Sequence, residues 1–142
     1  MCFIEREDGA LLLVRHAYRN RWGVPGGLLN RREDPPDGAR REVREEVSLD
    51  VELIAEPAVV VSPRPQRVDL VYRARPAPGV DPDLAQASSP EILEAKWFAQ
   101  DALPELQHET TTALVALARA ARSPQSQPIA ALTLPPLRRV EP

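Results

Sequence analysis

Residues 25–49 read PGGLLNRREDPPDGARREVREEVSL, and they constrain the fold more than any other part of the chain. Two adjacent glycines permit backbone shapes and close approaches that a Cβ would block. A helix is predicted from Asp34 onward: Asp34 can cap it, Pro35 sits where a missing amide donor costs nothing, and Asp37 adds a carboxylate to the first turn. At ~100° per residue, Ala39, Val43 and Val47 form one stripe and Glu42, Glu45 and Glu46 another. The apolar stripe is expected to face a core. Carboxylates at i, i+3 and i+4 mildly destabilise a plain helix, so something should offset their repulsion. Arg40, Arg41 and Arg44 offset part of it, and a solvated helix face laced with ion pairs would require nothing more. That plain reading leaves the glycine pair unexplained. Backbone carbonyls brought near three carboxylates make an all-oxygen environment suited to Mg²⁺ or Mn²⁺.

The other segments supply strands and one further long helix. "CFIEREDGALLLVRH" is expected to form two strands around an Asp8-Gly9 hairpin turn, with residues 11–14 buried on both faces. The first of these strands begins almost at Met1, so it is expected to be cut short. "VELIAEPAVVV" and "RVDLVYRAR" have the β-branched enrichment of strands joined through "SPRPQ". "RPAPGVDPDLAQASSP" is expected to be a mobile loop. "EILEAKWFA" is a further strand, "DALPEL" a short helix, and "ETTTALVALARAAR" a longer one. At 142 residues the chain has room for one ordinary domain. Residues 1–122 are assigned to that domain and 123–142 to a tail, or an arm that packs on a partner.

Written by its spacing, the acidic stretch is Gly27, five residues, Glu33, seven residues, then Arg41-Glu42-Val43-Arg44-Glu45-Glu46-Val47-Ser48-Leu49. This closely resembles the Nudix box, Gx5Ex7REUxEExGU, where U is aliphatic. Every defining position matches except Ser48, which stands where the family has glycine. "RWGVPGG" before the box and "EAKWFAQDALPEL" after it also resemble Nudix sequence.

The resemblance implies an α/β/α sandwich with a mixed β-sheet in a single domain, and hydrolysis of a nucleoside diphosphate linked to some group X. It assigns Glu42, Glu45, Glu46 and the Gly26 carbonyl to divalent cations, Mg²⁺ or Mn²⁺. Glu33 and Arg41 would pair with each other or with nearby carboxylates and hold the loop, helix and loop in register. The chemistry is consistent with those roles, because a diphosphate repels a nucleophile until cations neutralise its charge and lower the pKa of bound water. Glu45 or Glu46 is favoured to take part in the proton transfer, and Glu91 and Glu94 are downstream candidates for the base.

Outside the box the assignments are thinner. Arg31, Arg32, Arg64 and Arg67 could contact substrate phosphates or simply be solvated. Trp22 and Tyr18 could stack on a nucleobase, although a tryptophan before the glycine pair could equally pack beneath it. His16 is read as packed or hydrogen-bonded, His108 as a helix-start residue, and Trp97 and Phe98 as core. Ser48 falls where a left-handed backbone favours glycine by about 1 kcal/mol, a cost that serine can bear.

Substrate choice lies outside the box: ADP-ribose, a nucleotide sugar and a nucleoside triphosphate all fit. The resemblance associates a proline about fifteen residues beyond the box with ADP-ribose, and Pro63 and Pro65 bracket that region, which tips the choice slightly toward ADP-ribose. The competing class is a Nudix-fold binding or regulatory module that holds a nucleotide without turning it over. A net charge of −3 and the lack of a basic, aromatic-rich surface argue against long nucleic acid and an anionic membrane. Cys2 is the only cysteine, so no intrachain disulfide can form. The charged N-terminal stretch does not read as a signal peptide or a membrane span, and the default location is cytoplasmic. A small nucleotide is the expected partner, with a homodimer through the C-terminal arm as a further expectation.

Overall fold

The structure is a computed structural model and describes residues 1–122; the expected tail or arm, 123–142, lies outside the described residues. Seven strands and two α-helices follow one another as β1 (Cys2–Ile4), β2 (Leu11–His16), β3 (Trp22–Gly23), α1 (Pro35–Val47), β4 (Val51–Leu53), β5 (Ala58–Pro63), β6 (Gln66–Pro76), β7 (Ile92–Phe98) and α2 (His108–Arg122). One sheet has β6 at its centre, paired in parallel with β1 and antiparallel with β4 and β5. The other runs β3-β2-β7, all antiparallel.

Side-chain alternation divides the core in two. Cys2 and Ile4 of β1, Leu12 and Val14 of β2, and Tyr72 and Ala74 of β6 pack with Val43 and Val47 of α1. The intervening Phe3, Leu13 and Val71 pack with Ala113 and Leu117 of α2. The two helices therefore cover opposite faces of the strands, which is the expected sandwich of helix, mixed sheet and helix in one domain.

Helix α1 starts where its sequence says, with Asp34 at the N-cap and proline next, but the Asp34 side chain makes no capping hydrogen bond. Its backbone carbonyl accepts from Gly38 N–H at 3.0 Å. The helix ends at Ser48, whose φ of 53° and ψ of 32° are left-handed and whose N–H donates to the Arg44 carbonyl at 3.0 Å. Val43 and Val47 are fully buried.

Two local expectations need correction, and the proline-rich loop gains a detail. β1 and β2 do not form a regular hairpin: the turn at Gly9 exists, with φ +83° and with Arg6 N–H donating to the Ala10 carbonyl at 2.9 Å, but the pairing goes no further than an isolated bridge, Glu5 to Leu11. β1 pairs instead with β6, which offers it an unpaired edge and an apolar layer on both faces. "DALPEL" is a turn and extended chain, not a helix; Pro104 lacks the N–H a helical turn there would use. The proline-rich excursion carries one turn of 3₁₀ helix, Pro82–Leu84, capped by Asp81, whose carboxylate accepts from Asp83 N–H at 2.9 Å.

Candidate active site

The segment between the glycine pair and α1 is held down by one arginine. Arg41 donates from Nε and Nη2 to the two oxygens of Glu33, at 2.7 and 2.9 Å. Its Nη1 donates to Glu42 at 2.8 Å and to Glu45 at 3.1 Å, and its Nη2 also donates to the Leu28 carbonyl at 3.0 Å. Glu33 in turn accepts from Asn30 N–H at 2.8 Å. The Arg41 guanidinium, together with that backbone N–H, pulls the Glu33 pKa down to about 2. Gly38 permits the arrangement: a Cβ there would run into Leu29 Cδ2, with a Glu33 carboxylate oxygen 3.1 Å away.

Glu46 turns the other way. It is 6% exposed, and its Oε2 accepts from Gly26 N–H at 2.9 Å. Burial pushes its pKa up to about 7, because desolvation outweighs that hydrogen bond. The Glu42 carboxylate lies against Gly27, so close that a Cβ there would be 2.5 Å from one of its oxygens. Both glycines thus serve close approach: Gly26, at φ +147°, would place a Cβ 2.8 Å from the Met1 backbone.

A cavity of about 400 Å³ opens beside this turn, with Gly26, Gly27 and Glu42 in one wall. The start of α2 also lines it, through Gln107, Glu109 and Thr110. Thr110 is fully buried, and its hydroxyl has no hydrogen-bond partner. Tyr18, 67% exposed, stands in the lining, with the Arg19 guanidinium 5.9 Å from its ring centre. Arg67 also lines the cavity and is paired with Asp69 at 2.8 Å.

The model of the NUDIX domain family matches residues 1–118 of this chain. The chain belongs to the NUDIX family. A MutT-like protein of Streptomyces ambofaciens is 35% identical over 102 residues, covering 72% of this chain and 63% of that protein. The chain therefore spans less than two thirds of that relative, and about a third of the other curated relatives it matches. Among solved structures, a NUDIX hydrolase from Nitrosomonas europaea superposes with a TM-score of 0.69 at 25% identity, covering 87% of this chain and 73% of that one. An ADP-ribose pyrophosphatase from Streptococcus suis does so with a TM-score of 0.67 at 28% identity, covering 86% and 89%. Nudix hydrolases generally use divalent cations and act on small nucleotides.

Glu42, Glu45 and Glu46 share one helix but are not gathered around one point. Arg41 engages Glu42 and Glu45, while Glu46 is turned to Gly26, and among the described residues no three acidic, histidine or cysteine side chains form a metal-ligating group. Of the expected donors, Gly26 and Glu42 line the cavity, whereas Glu45 and Glu46 do not; all four offer oxygen, which fits a hard divalent cation.

The residues named outside the box divide clearly. Arg31 and Arg64 are exposed and do not line the cavity; Arg64 lies in the β5–β6 turn with Pro63 and Pro65 on either side. Trp22 packs edge-on against Phe98, ring centres 4.9 Å apart, so it belongs to the core rather than to the cavity lining. Glu94 accepts from Arg15 at 2.7 Å and Lys96 at 2.6 Å, and those cations lower its pKa. Glu91 is exposed and close enough for its charge to raise the Glu46 pKa. Glu109, Gln107 and Thr110 were not singled out from the sequence, since polar residues at a helix start carry no mark of what the fold brings opposite them. Among the described residues, no helix is long and apolar enough to cross a membrane.

Proposed function

We propose that this chain hydrolyses the diphosphate linkage of a nucleoside diphosphate joined to a further group X, with Mg²⁺ or Mn²⁺. The observation that carries the reading is the contact between the Glu42 carboxylate and the Gly26-Gly27 turn at the wall of a nucleotide-sized cavity of about 400 Å³. Glu42, Glu45, Glu46 and the Gly26 carbonyl would hold the cations, which supply charge neutralisation at the phosphates and a more acidic bound water. Arg41 and Glu33 fix the loop that approaches the cavity. Tyr18, in the cavity lining, would stack on the base. Glu45, at 58% side-chain exposure and in one ion pair with Arg41, or the exposed Glu91 would accept the water's proton, whereas Glu94 is held by two cations, Arg15 and Lys96.

ADP-ribose is favoured as substrate over a nucleoside triphosphate. Support comes from the likeness to the Streptococcus suis ADP-ribose pyrophosphatase, 28% identical over 86% of this chain. Pro63 and Pro65 give no support, since neither lines the cavity. A second reading, a nucleotide-binding module without turnover, is favoured by one observation: Arg41 already occupies Glu42 and Glu45.

The experiment is phosphatase-coupled phosphate release with ADP-ribose, triphosphates, nucleotide sugars and dinucleoside polyphosphates, comparing the wild type with Glu46→Gln. ADP-ribose turnover that disappears in the variant is expected. No turnover of any compound, with nucleotides still raising Tm, would replace the hydrolase reading by the binding module.

A further inference from the structure

Gln107, the residue before α2, joins three parts of the site. Its backbone N–H donates to the Trp22 carbonyl at 2.8 Å, and its side-chain nitrogen donates to the Arg21 carbonyl at 3.1 Å. The same nitrogen lies 3.2 Å from His16 Nδ1. Its amide is seated on Gly23, where a Cβ would come within 3.0 to 3.1 Å of three amide atoms.

A carbonyl oxygen only accepts, so the Gln107 atom facing Arg21 is the NH₂ nitrogen. Its second hydrogen points to His16 Nδ1, which is therefore an acceptor. A neutral His16 then carries its proton on Nε2. That atom lies 3.9 Å from Glu46 Oε1, while Gly26 N–H holds the other oxygen, Oε2, at 2.9 Å. The His16 and Glu46 side chains are only 11% and 8% exposed, so little water competes between them.

We propose that Gln107 and His16 are positioning residues for Glu46: Gln107, seated on Gly23, fixes the Nε2–H tautomer of His16 and so keeps an N–H, not a lone pair, turned toward the Glu46 carboxylate. At 3.9 Å the contact is longer than a hydrogen bond and acts through the N–H dipole. The opposite tautomer would set a nitrogen lone pair against a carboxylate oxygen, and the two repel. The catalytic consequence rests on the hydrolase reading above; the tautomer does not.

The test reads the His16 ring by long-range ¹H–¹⁵N spectra of the full-length, metal-free protein at about pH 8, above the ordinary histidine range. His108→Gln assigns the signals. Wild type is expected to show protonated Nε2 and bare Nδ1. Gln107→Leu should give a mixture of tautomers, and Gln107→Glu, whose carboxylate can only accept, should move the proton to Nδ1. In turnover assays with Mg²⁺, Gln107→Leu should lower kcat about tenfold with KM nearly unchanged. His16→Gln, which can present an N–H from a similar place, should retain more activity than His16→Leu. A wild-type Nδ1–H tautomer would overturn the proposal, as would a Gln107→Leu protein that keeps the single Nε2–H tautomer and full kcat. Because the tautomer is read without metal or substrate, a failure of the hydrolase reading leaves that result standing, and a failed tautomer leaves hydrolysis standing.

Discussion

Arg41 and Glu33 meet through two parallel hydrogen bonds, Nε to Oε1 at 2.7 Å and Nη2 to Oε2 at 2.9 Å, across a sequence gap of eight residues. A guanidinium fork matches a carboxylate in this way and an ammonium does not. Arg41→Lys keeps the charge but loses one of these bonds and the bond to the Leu28 carbonyl. We expect kcat to fall about 10- to 100-fold with the fold intact, because the loop beside the cavity loses its fixed register. Steady-state kinetics beside a circular dichroism spectrum check both halves of the expectation.

Glu46 and Glu33 have opposite effects on the pH dependence of stability. The Glu46 pKa is raised from 4.5 to about 7 by burial, so the folded chain binds its proton more tightly than the unfolded chain does. Its contribution to the stability of the chelator-treated protein should therefore fall as pH rises from about 4.5 to about 7. The Glu33 pKa is lowered from 4.5 to about 2, so its contribution is present above about 4.5 and is lost as pH falls toward 2. Burial lowers the His16 pKa, which contributes the opposite slope below the ordinary histidine range, so the Tm difference between wild type and Glu46→Gln is what isolates Glu46. That difference should move against the wild type between pH 5 and 7 and stay constant on the acid side; a difference that does not change between pH 5 and 7 would contradict the assignment.

At Gly27, an added Cβ meets the far end of a flexible side chain, the Glu42 carboxylate, rather than backbone. Gly27→Ala should therefore displace Glu42 and cost about 1 kcal/mol of stability or less. With Glu42 as a cation ligand, as proposed above, Mn²⁺ affinity followed by electron paramagnetic resonance should weaken about tenfold.

Ser48 combines a left-handed backbone with a hydrogen bond of 2.6 Å between its hydroxyl and that of Ser88. Ser48→Ala keeps the backbone cost and loses the bond, and should destabilise by about 1 kcal/mol. Ser48→Gly loses the same bond but relieves about 1 kcal/mol of backbone cost, and should be near neutral. Urea denaturation of the three proteins separates these outcomes.

Elements governed by local rules were legible in the sequence. The start and stop of α1 follow from Pro35 and the left-handed Ser48, and β2, β5, β6, β7 and α2 follow from their apolar patterns. Long-range choices were not. The Asp8-Gly9 turn signals a hairpin, yet β1 finds more partners on β6, more than sixty residues away. The burial of Glu46 was hidden for a similar reason: helical periodicity puts it beside Glu42 and Glu45, but the returning glycine turn covers Glu46 and leaves Glu45 in solvent. Tyr18 and Trp22 looked alike as aromatic candidates, and only the position of Phe98 separates the one in the cavity wall from the one beneath it.

Alternation along β1, β2 and β6 also partitions the molecule's tolerance to change. Phe3, Leu13 and Val71 support the helix that begins in the cavity lining, whereas Cys2, Leu12 and Tyr72 support the helix that carries the glutamates. A substitution on the first set alters the ground under Gln107, Glu109 and Thr110 and leaves the acidic helix on its own foundation. Residues one position apart in the same strands thus answer to different helices, although Cys2 and Tyr72 of the second set also reach the cavity lining.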